Sequence, residues 1–140
     1  MHHLFTLLML AYFSGAPQHL NVEIVSSVEG GKVYVAVYDS PEGFANERFI
    51  STASRTLAAT DIRTEVDLRL PTEGDYVIAV FQDLNENGTL DRNFFGVPTE
   101  PYGFGKLPPS KWRAPEFSEV ATTIGDTNRV TIAVRHWREY

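Results

Sequence analysis

Between Ile62 and Leu70 the chain alternates without a break. Ile62, Thr64, Val66, Leu68 and Leu70 fall on one side of a two-residue period, and Arg63, Glu65, Asp67 and Arg69 fall on the other. A pleated strand sends successive side chains to opposite faces, so this pattern puts one face in a core and the other in water, with its four charges paired across strands. The same period recurs along most of the chain. Leu20 to Val28 reads as a strand with Val22, Ile24 and Val28 on one face. Lys32 to Asp39 sets Val33, Val35 and Val37 against Tyr34, Ala36 and Tyr38, apolar on both sides, as in a central strand or one shielded by loops. Asp75 to Gln82 contains the apolar run Tyr76–Phe81, and Arg55–Thr60, Phe117–Ile124 and Arg129–Arg135 complete the set.

Polar turns such as Glu29-Gly30-Gly31 and Pro71-Thr72-Glu73-Gly74 join these runs, and short connections favour antiparallel pairs. The less regular stretch from Ser40 to Ser54 is expected to hold a helical turn around Ala45–Arg48 and to be tucked down by Phe44, Phe49 and Ile50. The fold expected is all-β: an immunoglobulin- or transthyretin-like antiparallel β-sandwich of about seven strands with one long functional loop. A small closed barrel is the alternative.

The 140 residues suit one domain with a self-sufficient core, spanning residues 19–140. Residues 1–18 read as a signal peptide: the apolar run Leu4–Phe13 precedes the small residues Ser14-Gly15-Ala16, although no Lys or Arg leads it. Ten apolar residues are too few to span a hydrocarbon layer of roughly 30 Å, and no other stretch qualifies as a transmembrane segment. The expected location is therefore periplasmic or extracellular. The absence of cysteine excludes disulfides, thiolate metal sites, a cysteine nucleophile and a lipoprotein anchor. A formal charge of −6, from eighteen acids against twelve bases, argues against nucleic acid or an anionic membrane as the main partner.

The long connection from Asp83 to Pro115 carries the chemistry. Asp83, Asn85, Asn87, Thr89 and Asp91 place oxygens at alternate positions, and Gly88 stands where such a loop must bend. This is the spacing of a calcium loop, with side-chain oxygens at positions one, three, five and nine and a backbone carbonyl at seven. Position twelve is Phe94 rather than glutamate, so the loop is not an EF-hand. A further ligand would come from Glu100, a main-chain carbonyl or water. Two carboxylates imply weak affinity, roughly 10⁻⁴–10⁻³ M. The competing reading is a metal-free Asx-rich turn, since Asp, Asn and Gly build tight turns without any ion. Beyond the loop, Phe95, Glu100, Tyr102, Phe104 and Trp112 are the candidate ligand-binding residues, either as a stacking platform for a protein, peptide or carbohydrate ligand, or as packing for the loop.

The run Leu70–Asp83, continuing through Asn85-Glu86-Asn87-Gly88-Thr89-Leu90-Asp91 and Phe95-Gly96-Val97-Pro98-Thr99-Glu100-Pro101-Tyr102-Gly103-Phe104, resembles a family of small exported bacterial proteins, domain-of-unknown-function family 2141. Their pattern joins a strand ending in Phe and Asp to an Asn-x-Asn-Gly-x-Leu-Asp loop and a Gly-x-Pro-x-Glu-x-Tyr-Gly-Phe segment. Gly105-Lys106 departs from the serine or asparagine pair usual there. The resemblance implies a β-sandwich in a periplasmic or extracellular setting and implies no reaction.

No catalytic residue is assigned. His2, His3 and His19 lie in or near the leader, and His136 is expected to be exposed and alone. No nucleophile elbow or phosphate loop is present. Three functions remain: a non-catalytic binding or accessory module, a carboxylate-based hydrolase using residues such as Asp91 and Glu100, and a purely structural envelope protein.

Overall fold

A computed structural model describes residues 15–125 and 128–140. Residues 1–14 of the expected signal peptide lie outside the described residues, and its last residue, Gln18, opens the first strand. Among those described, the chain forms β1 (Gln18–Ser26), β2 (Lys32–Tyr38), α1 (Pro41–Ala45), β3 (Ser51–Thr56), β4 (Arg63–Leu70), β5 (Gly74–Asp83), β6 (Tyr102–Phe104), α2 (Phe117–Val120), β7 (Thr122–Ile124) and β8 (Arg129–Val134), with a closing 3₁₀ turn at Trp137–Glu139. The strands make two sheets. One has the order β4-β1-β8 and the other β3-β2-β5-β6, with β7 paired to the start of β5.

The sheets close face to face over one core. Leu20, Val22 and Ile24 of β1, Val66, Leu68 and Leu70 of β4, and Val130, Ile132 and Val134 of β8 meet Val33, Val35 and Val37 of β2 and Tyr76, Ile78 and Val80 of β5. Each set is one side of a period-two pattern, so burial of alternate residues fixes the register of every pair. Gly103 allows the layers to meet at the β6 side, because a side chain there would stand 2.4 Å from the Ala133 carbonyl of β8.

The all-β sandwich is as expected, with four local corrections. First, β1 and β8 pair in parallel. Short connections impose antiparallel pairing only on neighbours in sequence, and these are the first and last strands. Second, Phe117–Val120 is a helical turn rather than the start of a strand. The Glu119 carboxylate accepts the Glu116 N–H at 2.8 Å and grips Arg113, while Val120 is buried. Third, Ile62, Phe49 and Ile50 are exposed rather than packed, and Val28 lies beyond the end of β1. Phe44 does turn inward, onto Tyr38 and Phe104. Fourth, the third strand is Ser51–Thr56 and the helical turn is Pro41–Ala45, each earlier than expected. Pro41 opens that turn and the Ser40 hydroxyl accepts the Gly43 N–H at 3.0 Å, a start signal upstream of Ala45.

Candidate functional site

The acidic loop begins where β5 ends. The Asp83 side chain is fully buried and accepts N–H bonds from Asn87 at 3.2 Å and Gly88 at 2.7 Å. Gly88 takes φ 82°, the left-handed bend expected of it. Asn85 and Asn87 direct their amide nitrogens to the two oxygens of Asp91, at 2.6 and 2.7 Å. Their own carbonyl oxygens accept the N–H groups of Asn87 and Thr89. These amide donors hold the Asp91 carboxyl below the usual carboxylate range. The Thr89 hydroxyl also donates to Asn87. All five residues of the proposed cation loop thus converge on one turn, in which asparagine amide protons offset the Asp91 charge.

Glu100 stands apart from the other candidate ligand-binding residues. It is 4% exposed, and its two oxygens accept the N–H of Leu84 at 2.6 Å and of Asp91 at 3.0 Å. One buried carboxylate therefore clamps both ends of the loop. Buried charges usually have a charged partner or a metal. Among the described residues neither Asp83, Asp91 nor Glu100 forms an ion pair within the protein. No three His, Asp or Glu side chains among those residues form a metal-ligating group by themselves. A cation here would need the asparagine and backbone oxygens as well.

Tyr102 and Phe104 belong to a larger feature. On the outer face of the five-stranded sheet, register aligns Ser54, Tyr34, Phe81 and Tyr102 in one row across four strands, and Thr52, Ala36, Ala79 and Phe104 in the next. Tyr34 stacks on Phe81 with centroids 5.0 Å apart, and Tyr102 stacks on Tyr140 at 4.9 Å. The Tyr140 hydroxyl donates to the Tyr102 carbonyl, and burial raises the pKa of that phenol. The two alanines make a low floor between these aromatics and the Tyr38–Phe44–Phe104 cluster. The 88–98 and 108–118 segments overhang the floor and leave a groove of about 1460 Å³. Phe95 and Trp112 stand on its rim, both strongly exposed, with Trp112 edge-on to Trp137 at 5.0 Å.

Tyr34, Phe44, Phe81, Trp137 and the alanine floor were not among the sequence candidates. Their signal was the second apolar face of Lys32–Asp39, which one buried face does not require. The carboxylates on the groove wall are Glu47 and Glu116, and no histidine lines it among the described residues. His136 is half-buried rather than exposed, at the head of the 3₁₀ turn, where its backbone N–H meets the Glu139 carboxylate at 2.6 Å.

Fold and site together define a two-sheet β-sandwich with an Asx-rich rim loop and an aromatic groove on one outer face. The model of the family described as an uncharacterized protein conserved in bacteria (DUF2141) matches residues 21–132, and the chain belongs to that family. No curated protein and no solved structure matches it. No helix among the described residues is long and apolar enough to cross a membrane.

Proposed function

We propose that the chain is an exported, non-catalytic binding module whose ligand lies in the groove on the outer face of the five-stranded sheet. The observation that carries this reading is the row of Tyr34, Phe81 and Tyr102 beside the Ala36–Ala79 floor. Half-buried aromatic faces beside small residues offer flat stacking surfaces to a sugar ring or a peptide side chain. The employment of Glu100 on two backbone donors supports the non-catalytic reading over a carboxylate hydrolase, since a general acid or base needs a free oxygen facing substrate. The experiment is glycan and peptide array binding by the wild type and by Ala79→Trp, which fills the floor. The expected result is loss of the wild-type signal with the melting temperature retained. Unchanged array binding by Ala79→Trp would place the ligand elsewhere.

The same proposal assigns weak calcium binding to Asp83, Asn85, Asn87, Thr89 and Asp91. Its support is the convergence of these side chains and, among the described residues, the lack of an ion-pair partner for the buried carboxylates of Asp83 and Glu100. Calcium at a hundred times its dissociation constant should stabilise the fold by about 2.7 kcal/mol. Asp91→Asn should shrink that shift. Equal melting temperatures in millimolar calcium and in chelator would leave the Asx turn alone.

A further inference from the structure

The turn at the far end of the acidic loop is firmly built yet buries neither of its two largest side chains. Arg92 bridges to Pro98, the Asn93 N–H donates to the Val97 carbonyl at 2.9 Å, and the Gly96 N–H donates to the Asn93 carbonyl at 2.9 Å. The Asn93 side-chain oxygen accepts from Phe95 at 2.9 Å and from Val97 at 3.1 Å. At its tip Phe94 is 98% and Phe95 85% exposed, touching only edge to face at 5.7 Å. Single exposed apolar residues are commonplace, but two adjacent rings held out on a braced turn mark a contact surface. Among the described residues, Leu84, Leu107 and Trp112 of the same connection are also exposed, and Phe49, Ile50 and Ile62 are exposed outside it.

Charge follows the same division. Residues 92–115 hold four of the chain's twelve basic residues and only one of its eighteen acids, the buried Glu100. Arg113 is engaged by Glu119, whereas Arg92, Lys106 and Lys111 have no carboxylate partner among the described residues. Arg92, Phe95, Lys111 and Trp112 all border the groove, as do the acids Glu47 and Glu116. The ion-paired acids Glu23 and Glu65 belong to the other sheet. The connection as a whole is neutral, its four bases matched by Asp83, Glu86, Asp91 and Glu100, but its stretch from Arg92 to Pro115 is basic and aromatic.

We propose that this connection docks the protein on an anionic lipid surface, with Phe94 and Phe95 entering the interface and Arg92, Lys106 and Lys111 meeting the phosphates. An exposed apolar pair with Arg92 in the same turn and two further unpaired lysines in the same basic stretch suits a deformable layer with a negative surface, where aromatic rings settle at headgroup depth and each base adds attraction. The proposal shares Arg92, Phe95 and Lys111 with the groove rim but needs no ligand on the alanine floor.

The test is flotation of the full chain with vesicles of phosphatidylcholine alone or mixed with phosphatidylglycerol, alongside tryptophan fluorescence. The expected result is retention on the anionic vesicles only, weakened by high salt. The double substitution Phe94→Ser with Phe95→Ser should cut retention about tenfold or more. Arg92→Glu and Lys111→Glu should each cut it about fivefold or more, with circular dichroism unchanged. Equal retention on neutral and anionic vesicles, or none on either, overturns the proposal. So does sedimentation showing a dimer that the double serine variant dissolves without any vesicle binding, which would assign the tip to a second copy of the chain.

Discussion

The two outer faces of the sandwich were built by the same alternation and met different ends. On the three-stranded sheet, Glu23 of β1 accepts Arg63 of β4 at 2.8 Å and Arg129 of β8 at 2.7 Å, while Arg129 also reaches Glu65 at 2.7 Å. Asn21 donates to Asp67 across the same pair of strands at 2.9 Å. That face is a lattice of charges meeting water. The opposite outer face presents Tyr34, Ala36, Tyr38, Ala79, Phe81, Tyr102 and Phe104, and the long connection hangs over it. The lesson is about what a strand's second face is for. A face finished in ion pairs needs no cover, whereas one finished in rings and methyl groups keeps apolar area that only a loop or a ligand can remove from water.

Substitutions on the two faces should differ in size, and denaturant unfolding is the measure. The largest effect belongs to Phe81→Ala, which removes a half-buried ring and its stack on Tyr34. The expected cost is about 2–3 kcal/mol, with little dependence on salt. A loss under about 1 kcal/mol would mean that the aromatic face is mere surface and would break the comparison. Glu100→Gln comes next, because an amide can accept at only one end and leaves a loop N–H weakly paired. The expected loss is about 2 kcal/mol, with faster hydrogen exchange at Leu84 or Asp91 as the local signature. Glu23→Ala should cost about 1 kcal/mol or less despite removing two ion pairs, since Arg63 and Arg129 remain exposed to water. That small loss should fade as salt is added.

Acid separates the loop from both faces. The Asn85 and Asn87 amides lower the Asp91 pKa, so its contribution is complete above the ordinary aspartate range. It is lost as the pH falls through the lowered value. Removing the amide donors with Asn85→Ala and Asn87→Ala should bring the Asp91 titration, followed by NMR, back up toward the ordinary range.

Much of this was legible in the residues. The alternation of Ile62–Leu70 named Val66, Leu68 and Leu70 as core and Arg63 and Glu65 as cross-strand partners, because a two-residue period admits only one way to divide them. The apolar run ending at Asp83 and the turn chemistry through Asp91 located the rim loop, since Asp, Asn and Gly act on their own nearby backbone. Boundaries fared worse. Phe117–Val120 carries apolar residues that suit a strand, but a glutamate three positions on from Glu116 and a nearby arginine favoured a helical turn. Tyr102-Gly103-Phe104 became a strand because β5 offered an open edge, which no local pattern announces.

The order of residues by itself determined the all-β class, the inward set of the clearest strands and the place of the acidic loop, for those depend on interactions within a few positions of the chain. Tertiary structure alone decided that β1 runs parallel to β8, that Glu100 closes the loop from sixteen residues beyond Leu84, and that rings from β2, β5 and β6 line up in one row. The physical reason is that these depend on which strand edges and which buried donors meet in space, and separation along the chain does not encode that meeting.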